Sequence, residues 1–197
     1  DDEFIVYKDE RLSFREHYAR VAALSNRLVD DFGILPGDRV AIAMRNYPEW
    51  CCAFWAVVCS GAVVVPINAW WTADELAYGL ADSGAKLVFV DQERLLRLQE
   101  LTSTPPKLAQ VIAVRSEQLT EHAVDFESLV RDANPGQALP EVEIEPEDAA
   151  TLFYTSGTTG FPKGTLGTHG NFCSVPLTAA YIGAQTLLRS GGGLEDL

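Results

Sequence analysis

The order of apolar and polar residues divides the first 115 positions into short apolar runs separated by longer periodic segments. Phe4-Ile5-Val6-Tyr7 reads as a short strand followed by a charged turn. Ser13-Phe14-Arg15-Glu16 has the form of a capping box, in which a hydroxyl and a carboxylate satisfy each other's backbone N–H groups. Phe14, Tyr18, Val21, Ala22, Leu28, Val29 and Phe32 recur at helical spacing, with Gly33 suited to the C-cap. Residues 39–44 read as a buried parallel strand. Pro48 suits the first turn of a helix running to Ser60. That helix holds Trp50, Phe54, Trp55, Val57 and Val58, and an apolar surface on all sides predicts deep burial. Gly61 ends it. Residues 63–67 form the next strand, and Asn68-Ala69-Trp70-Trp71 a loop whose two rings are expected in core or rim packing, with the lining of a ligand pocket as the alternative.

Thr72-Ala73-Asp74-Glu75 is a second capping box, and its helix runs to Gly84. Residues 86–90 read as a strand, Asp91 as a cap or turn residue, and residues 92–101 as a helix broken by Pro105-Pro106. Residues 111–114 are a further strand, and residues 126–130 a short helix capped by Asp125. Residues 134–146, with three prolines, read as a surface connection and not a domain boundary. Strands and helices therefore alternate. The predicted fold class is α/β, with a mainly parallel sheet and helices on both faces. In such sheets ligands bind beyond the carboxyl ends of the strands.

Composition narrows the function. The 197 residues suffice for one domain with a sizeable core. A net charge of −13 argues against nucleic acid or an anionic membrane surface as main partner. An anionic ligand must then be held by local donors. Cys51, Cys52, Cys59 and Cys173 show no metal spacing and are expected to be small buried hydrophobes in a reducing compartment. No signal peptide, lipidation motif or spanning apolar stretch is present, which predicts a cytoplasmic protein. His17 and His122 lack partners in the pattern and are expected at the surface.

The densest chemistry follows the apolar run Ala149-Ala150-Thr151-Leu152-Phe153. It is Tyr154-Thr155-Ser156-Gly157-Thr158-Thr159-Gly160-Phe161-Pro162-Lys163-Gly164, eleven residues with four hydroxyls, three glycines and one lysine besides the tyrosine. Glycines allow tight turns and close approach of backbone to a ligand. Turn N–H groups can form an anion-binding nest. Hydroxyls add donors, and Lys163 adds a mobile charge that Pro162 presents. A plain surface loop has similar composition, but this ordered pattern suits a polyphosphate. It is not the Walker loop: counted from Gly157, Pro162 stands where glycine is needed, and Gly164 where Ser or Thr is needed. Residues 164–168 read as a second strand, and residues 171–185 as a helix.

The stretch from Tyr154 to Gly164, with Thr168-His169-Gly170-Asn171-Phe172 after it, resembles the AMP-binding signature of the adenylate-forming enzymes. That superfamily includes acyl-CoA synthetases, peptide-synthetase adenylation domains and luciferases. The resemblance implies the N-terminal subdomain of an acyl-CoA synthetase-like fold, with residues 1–197 as the N-terminal part of an adenylation domain. It implies ATP, Mg²⁺ and coenzyme A as ligands and a small carboxylate as substrate, joined through an acyl-adenylate. Ser156, Gly157, Thr158, Thr159, Gly160 and Lys163 would then contact phosphates. Thr155 would sit nearest the α-phosphate and within reach of Mg²⁺, a thin metal signal for one hydroxyl. His169 is expected to be packed or hydrogen-bonded and not an acid or base. Thr165 and Gly167 depart from the bulkier apolar residues common there, which weakens the case for the second strand. The family's adenine segment, acidic Mg²⁺ motif and lysine-bearing C-terminal domain are not found before Leu197, so the missing remainder of the polypeptide is an expected partner. Expected alternatives to a fatty acyl-CoA synthetase are peptide-synthetase-type or carrier-loading adenylation, or a non-catalytic nucleotide-binding fragment.

Overall fold

Two hydrophobic clusters, one on each face of a single twisted sheet, organise the chain. The computed structural model describes residues 2–156, 161–191 and 193. Its elements run β1 (Glu3–Tyr7), β2 (Glu10–Ser13), α1 (Phe14–Asp30), β3 (Arg39–Ala43), α2 (Pro48–Cys59), β4 (Val63–Pro66), α3 (Ala73–Ser83), β5 (Leu87–Asp91) and α4 (Gln92–Gln99). Then follow β6 (Gln110–Val114), β7 (Ala123–Asp125), α5 (Phe126–Val130), β8 (Ala149–Thr155), β9 (Lys163–Thr168) and α6 (His169–Arg189). The seven-stranded sheet has the order β7-β6-β5-β3-β4-β8-β9, parallel throughout except for the antiparallel β8–β9 pair. A separate antiparallel hairpin, β1–β2, leads into α1.

Local sequence explains most of these boundaries. Both expected capping boxes form: Glu16 N donates to Ser13 Oγ at 3.2 Å, and Glu75 N to Thr72 Oγ1 at 3.3 Å. A third, unforeseen, joins Thr168 to Asn171 at the start of α6. Gly84 takes the left-handed cap of α3 at φ 63°. On one face α1, α2 and α5 deliver Leu24, Leu28, Val57 and Phe126 against the strands. On the other, α3 and α4 deliver Leu76, Leu80 and Leu95. Each such buried side chain contributes about 1.5–3 kcal/mol relative to exposure.

Several expectations are corrected. His17 is buried, packed under the hairpin with its ring 4.7 Å from Phe4, where burial holds its pKa below the ordinary 6.5. The hairpin that covers it includes β2, a charged strand with no apolar alternation to announce it. Helix α2 is not buried all round, since Trp55 is 44% exposed. Of the cysteines only Cys52 is buried; Cys51 and Cys59 are half-buried and Cys173 is exposed. Asp31 and not Gly33 caps α1, although Gly33 takes φ 61° two residues on. The second strand of the signature does form, and Gly167 is the reason that it fits. Gly167 pairs with Thr151, and a Cβ there would lie 2.7 Å from Thr151 Oγ1.

Candidate functional site

Strand β8 is the last parallel strand of the sheet, and its carboxyl end carries the hydroxyl-rich stretch. Tyr154 and Thr155 close the strand, and Lys163 opens the antiparallel return. Thr155 and Lys163 are direct cross-strand partners, and Thr155 Oγ1 donates to the Lys163 carbonyl at 3.4 Å. The side chains of Thr155, Ser156 and Lys163 are exposed. The structure thus brings Thr155, Ser156 and Lys163 together at one mouth. Gly157, Thr158, Thr159 and Gly160 lie outside the described residues.

The mouth opens on a cleft of about 310 Å³ lined by Asn68, Trp71, Glu75, Tyr154, Thr155, Ser156 and Pro162. Trp71 presses on α3 at Gly79, where a Cβ would meet its ring at 2.6 Å, and stands edge-on to Tyr154 at 5.7 Å. Tyr154 Oη donates to Asp82 Oδ2 at 2.6 Å. Burial, and then the Asp82 carboxylate, push the Tyr154 phenol well above its usual range, so it stays a protonated donor. The set of two exposed hydroxyls, of which Thr155 Oγ1 makes a long 3.4 Å bond to the Lys163 carbonyl, and one exposed ammonium fits a phosphate chain. It fits Mg²⁺ less fully. Thr155 offers one hydroxyl, Glu75 Oε2 already accepts from Thr72 N and Oγ1, and no group of three His, Cys, Asp or Glu suited to a metal occurs among the described residues. An Mg²⁺ here would take its other ligands from phosphate and water.

A larger cleft of about 700 Å³ adjoins the first, and Asn68 lines both. It lies beyond the carboxyl ends of the parallel strands β3 and β4, the side on which such sheets bind ligands. Arg45 stacks on Trp70 at 4.1 Å, and no carboxylate among the described residues pairs with its guanidinium. Sequence reasoning passed over Arg45 and Asn68. The available signal was their place directly after a parallel strand.

Both rims of this cleft are tied to one buried ion pair. Asp91 Oδ2 accepts from Arg45 N at 3.0 Å, and Arg94 Nε donates to the Ala69 carbonyl at 2.6 Å. Asp91 and Arg94 meet at 3.1 Å with side chains 5% and 2% exposed. Asp91 also caps α4 through Arg94 N, the cap role expected of it. His169 opens α6, where its backbone N–H donates to the Asp148 carbonyl at 3.0 Å. Its Nε2 is enclosed without a hydrogen-bond partner. His122 is exposed as expected.

Comparison with known proteins agrees with this geometry. A family model described as AMP-binding enzyme matches residues 1–189. The long-chain-fatty-acid–CoA ligase FadD13 of Mycobacterium tuberculosis is 35% identical over 171 residues, covering 83% of this chain and 31% of the relative. The 4-coumarate–CoA ligase 2 of Oryza sativa subsp. japonica is 35% identical over 164 residues, covering 79% and 28%. Among solved structures, an anthranilate CoA ligase, AuaEII, in complex with anthranoyl-AMP superposes with a TM-score of 0.82 at 28% identity, covering 91% of this chain and 33% of that one. The chain spans about a third of the length of the relatives it matches. Family model, relatives and sheet topology agree: the chain belongs to the AMP-binding enzyme family.

Proposed function

We propose that this chain supplies the phosphate-holding edge of an ATP-dependent carboxylate–CoA ligase, and that residues 1–197 are the N-terminal part of its adenylation domain. The observation that carries the reading is the pairing of Thr155 with Lys163 at the carboxyl end of β8, with Ser156 beside them. In this reading Thr155, Ser156, Gly157, Thr158, Thr159, Gly160 and Lys163 hold the phosphates. A carboxylate oxygen of the substrate attacks the α-phosphorus, and the bond to the pyrophosphate oxygen breaks. Lys163 and the hydroxyls stabilise the charge that moves onto the leaving pyrophosphate, which is where preorganised donors lower the barrier most. Thr155 would offer its hydroxyl toward a bound Mg²⁺, which would supply positive charge against the phosphates. A thiol, that of coenzyme A, then attacks the acyl carbon and AMP leaves.

The adjoining cleft favours more than one substrate group at this edge, since the Arg45 guanidinium and the Trp70 ring suit an anionic second part. A fatty acid is our first choice of substrate, supported by the likeness to FadD13. Relatives that act on oxalate, 4-coumarate and 2-succinylbenzoate keep other acids in view. The 197 residues alone are not expected to catalyse. Among the described residues no group of three His, Cys, Asp or Glu suited to a metal occurs and no lysine lines the cleft.

The reaction class is tested by its products. The full polypeptide that carries this chain, given Mg-ATP, coenzyme A and a panel of carboxylic acids, should release AMP and pyrophosphate in equal amounts with one class of acid. Release of ADP and inorganic phosphate instead would refute the proposal.

A further inference from the structure

Helix α3 turns one face to the phosphate mouth. Glu75, Tyr78, Gly79 and Asp82 stand at i, i+3, i+4 and i+7, which is one side of a helix. Each touches the loop's stems or the cleft between them. Asp82 receives the Tyr154 hydroxyl at 2.6 Å, on the outgoing stem. Tyr78 Oη donates to the Pro162 carbonyl at 3.2 Å, on the returning stem, and its ring packs on Phe161 at 5.1 Å between centroids. Gly79 leaves room for Trp71 to lie between, and Glu75 lines the cleft. One helix therefore holds both stems, across 72 and 84 residues of sequence.

The contact to Pro162 has a specific consequence. The Pro162 carbonyl and the Lys163 N–H belong to one planar peptide unit. A hydrogen bond that fixes the carbonyl direction fixes the plane through which the chain enters Lys163. The carbonyl on the other side of Lys163 receives Thr155 Oγ1 at 3.4 Å. The backbone of Lys163 is thus held from both sides, by a helix on one and by the opposite strand on the other. Its side chain is left exposed and free to aim.

We infer that Tyr78 is a positioning residue for Lys163: its hydroxyl, anchored on α3 and bonded to the Pro162 carbonyl, sets the direction from which the ammonium meets the outer phosphates of ATP. The inference rests on the phosphate-loop reading above and adds a residue to it. Tyr78 touches no reacting atom. Its effect should fall on nucleotide and pyrophosphate, not on the acid.

The test compares Tyr78→Phe, Tyr78→Ala and Lys163→Ala in the full polypeptide, by carboxylate-dependent exchange of labelled pyrophosphate into ATP. Tyr78→Phe keeps the ring on Phe161 and loses only the hydroxyl, so it should raise the KM for Mg-ATP about threefold, the usual worth of one neutral hydrogen bond. Tyr78→Ala loses ring and hydroxyl and should raise it about tenfold. The KM for the acid should stay within about twofold in both, and the melting midpoint of Tyr78→Phe should match the parent. Equal shifts in both KM values would mark a general structural role and overturn the inference. So would an unchanged KM for ATP in both tyrosine variants while Lys163→Ala loses exchange, and there the loop reading would survive. Unchanged exchange in Lys163→Ala would remove the loop reading and this inference with it. Should Tyr78→Ala fail to fold, Tyr78→Phe decides alone, by its own KM split.

Discussion

Replacing Asp91 with alanine should destabilise the chain by about 3 kcal/mol, because it strands a buried guanidinium. The Arg94 side chain is 2% exposed and its pair with Asp91 spans 3.1 Å. Breaking a buried pair from one side costs roughly 3–5 kcal/mol, since the remaining charge keeps its desolvation penalty. Loss of the α4 N-cap, about 1 kcal/mol, falls within that range. Against this, Arg94 retains Glu93 Oε2 at 3.0 Å and the Ala69 carbonyl, so the low end of the range applies. Typical domains hold only about 5–15 kcal/mol in all, so the midpoint of urea unfolding should fall clearly. Thermal melting should drop by roughly 6–12 °C for a chain of this size. The double variant Asp91→Ala with Arg94→Met removes both charges and should recover much of the loss, leaving about the cap term. The reasoning is refuted if Asp91→Ala unfolds within about 1 kcal/mol of the parent, or if the double variant is no more stable than the single one.

Three further outcomes follow from the same structure. His17 is held neutral by burial, so the unfolded chain binds the extra proton first. Stability should be full above pH 6.5 and fall as pH drops below it, and His17→Leu should flatten that fall in urea titrations at pH 7 and pH 5. Gly167→Val should cost about 1–3 kcal/mol by overpacking against Thr151, and adding Thr151→Ala should return part of it, measured by the same unfolding. The 197-residue chain alone should show no carboxylate-dependent pyrophosphate exchange, and it should self-associate through α6, where Val175, Leu177, Tyr181 and Ile182 are exposed on more than one side. Exchange within about tenfold of the full polypeptide would overturn the first part, and a monomer at all concentrations in light scattering the second.

What was legible in the sequence was what is decided within a few residues. The boxes at Ser13 and Thr72 and the cap at Asp125 need only an i to i+3 contact, and each forms. The buried parallel strands announce themselves as apolar runs, and the α/β architecture with helices on both faces follows from their alternation. Strand β2 is mostly charged and polar and β7 is only 3 residues long, so neither shows an apolar run that would mark it. The third capping box escaped notice because asparagine, not glutamate, stands three residues after Thr168.

The site was legible in the same partial way. The stretch from Tyr154 to Gly164 can be read as a phosphate loop from residue types alone, and the structure does bring Thr155, Ser156 and Lys163 together. Residues 157–160 of that stretch lie outside the described residues. The supports could not be read. Asp82, Tyr78 and the Asp91–Arg94 pair act on residues 25 to 84 positions away, and only folding brings them there. His17 was misplaced for the same reason, since the hairpin that buries it is a tertiary contact.

The central claim, that the β8–β9 mouth holds the outer phosphates of ATP during adenylation, is tested most directly by Lys163→Ala in the full polypeptide. The measurement is the rate of carboxylate-dependent exchange of labelled pyrophosphate into ATP at saturating acid. Loss of one charge-assisted donor to the leaving group should raise the barrier by roughly 2–4 kcal/mol, or about 30- to 1,000-fold in rate. Binding of the acid should change little, because the ammonium acts on phosphate charge and not on the carboxylate. An exchange rate within about twofold of the parent would contradict the account, for the lysine would then stand at a loop that the nucleotide does not use.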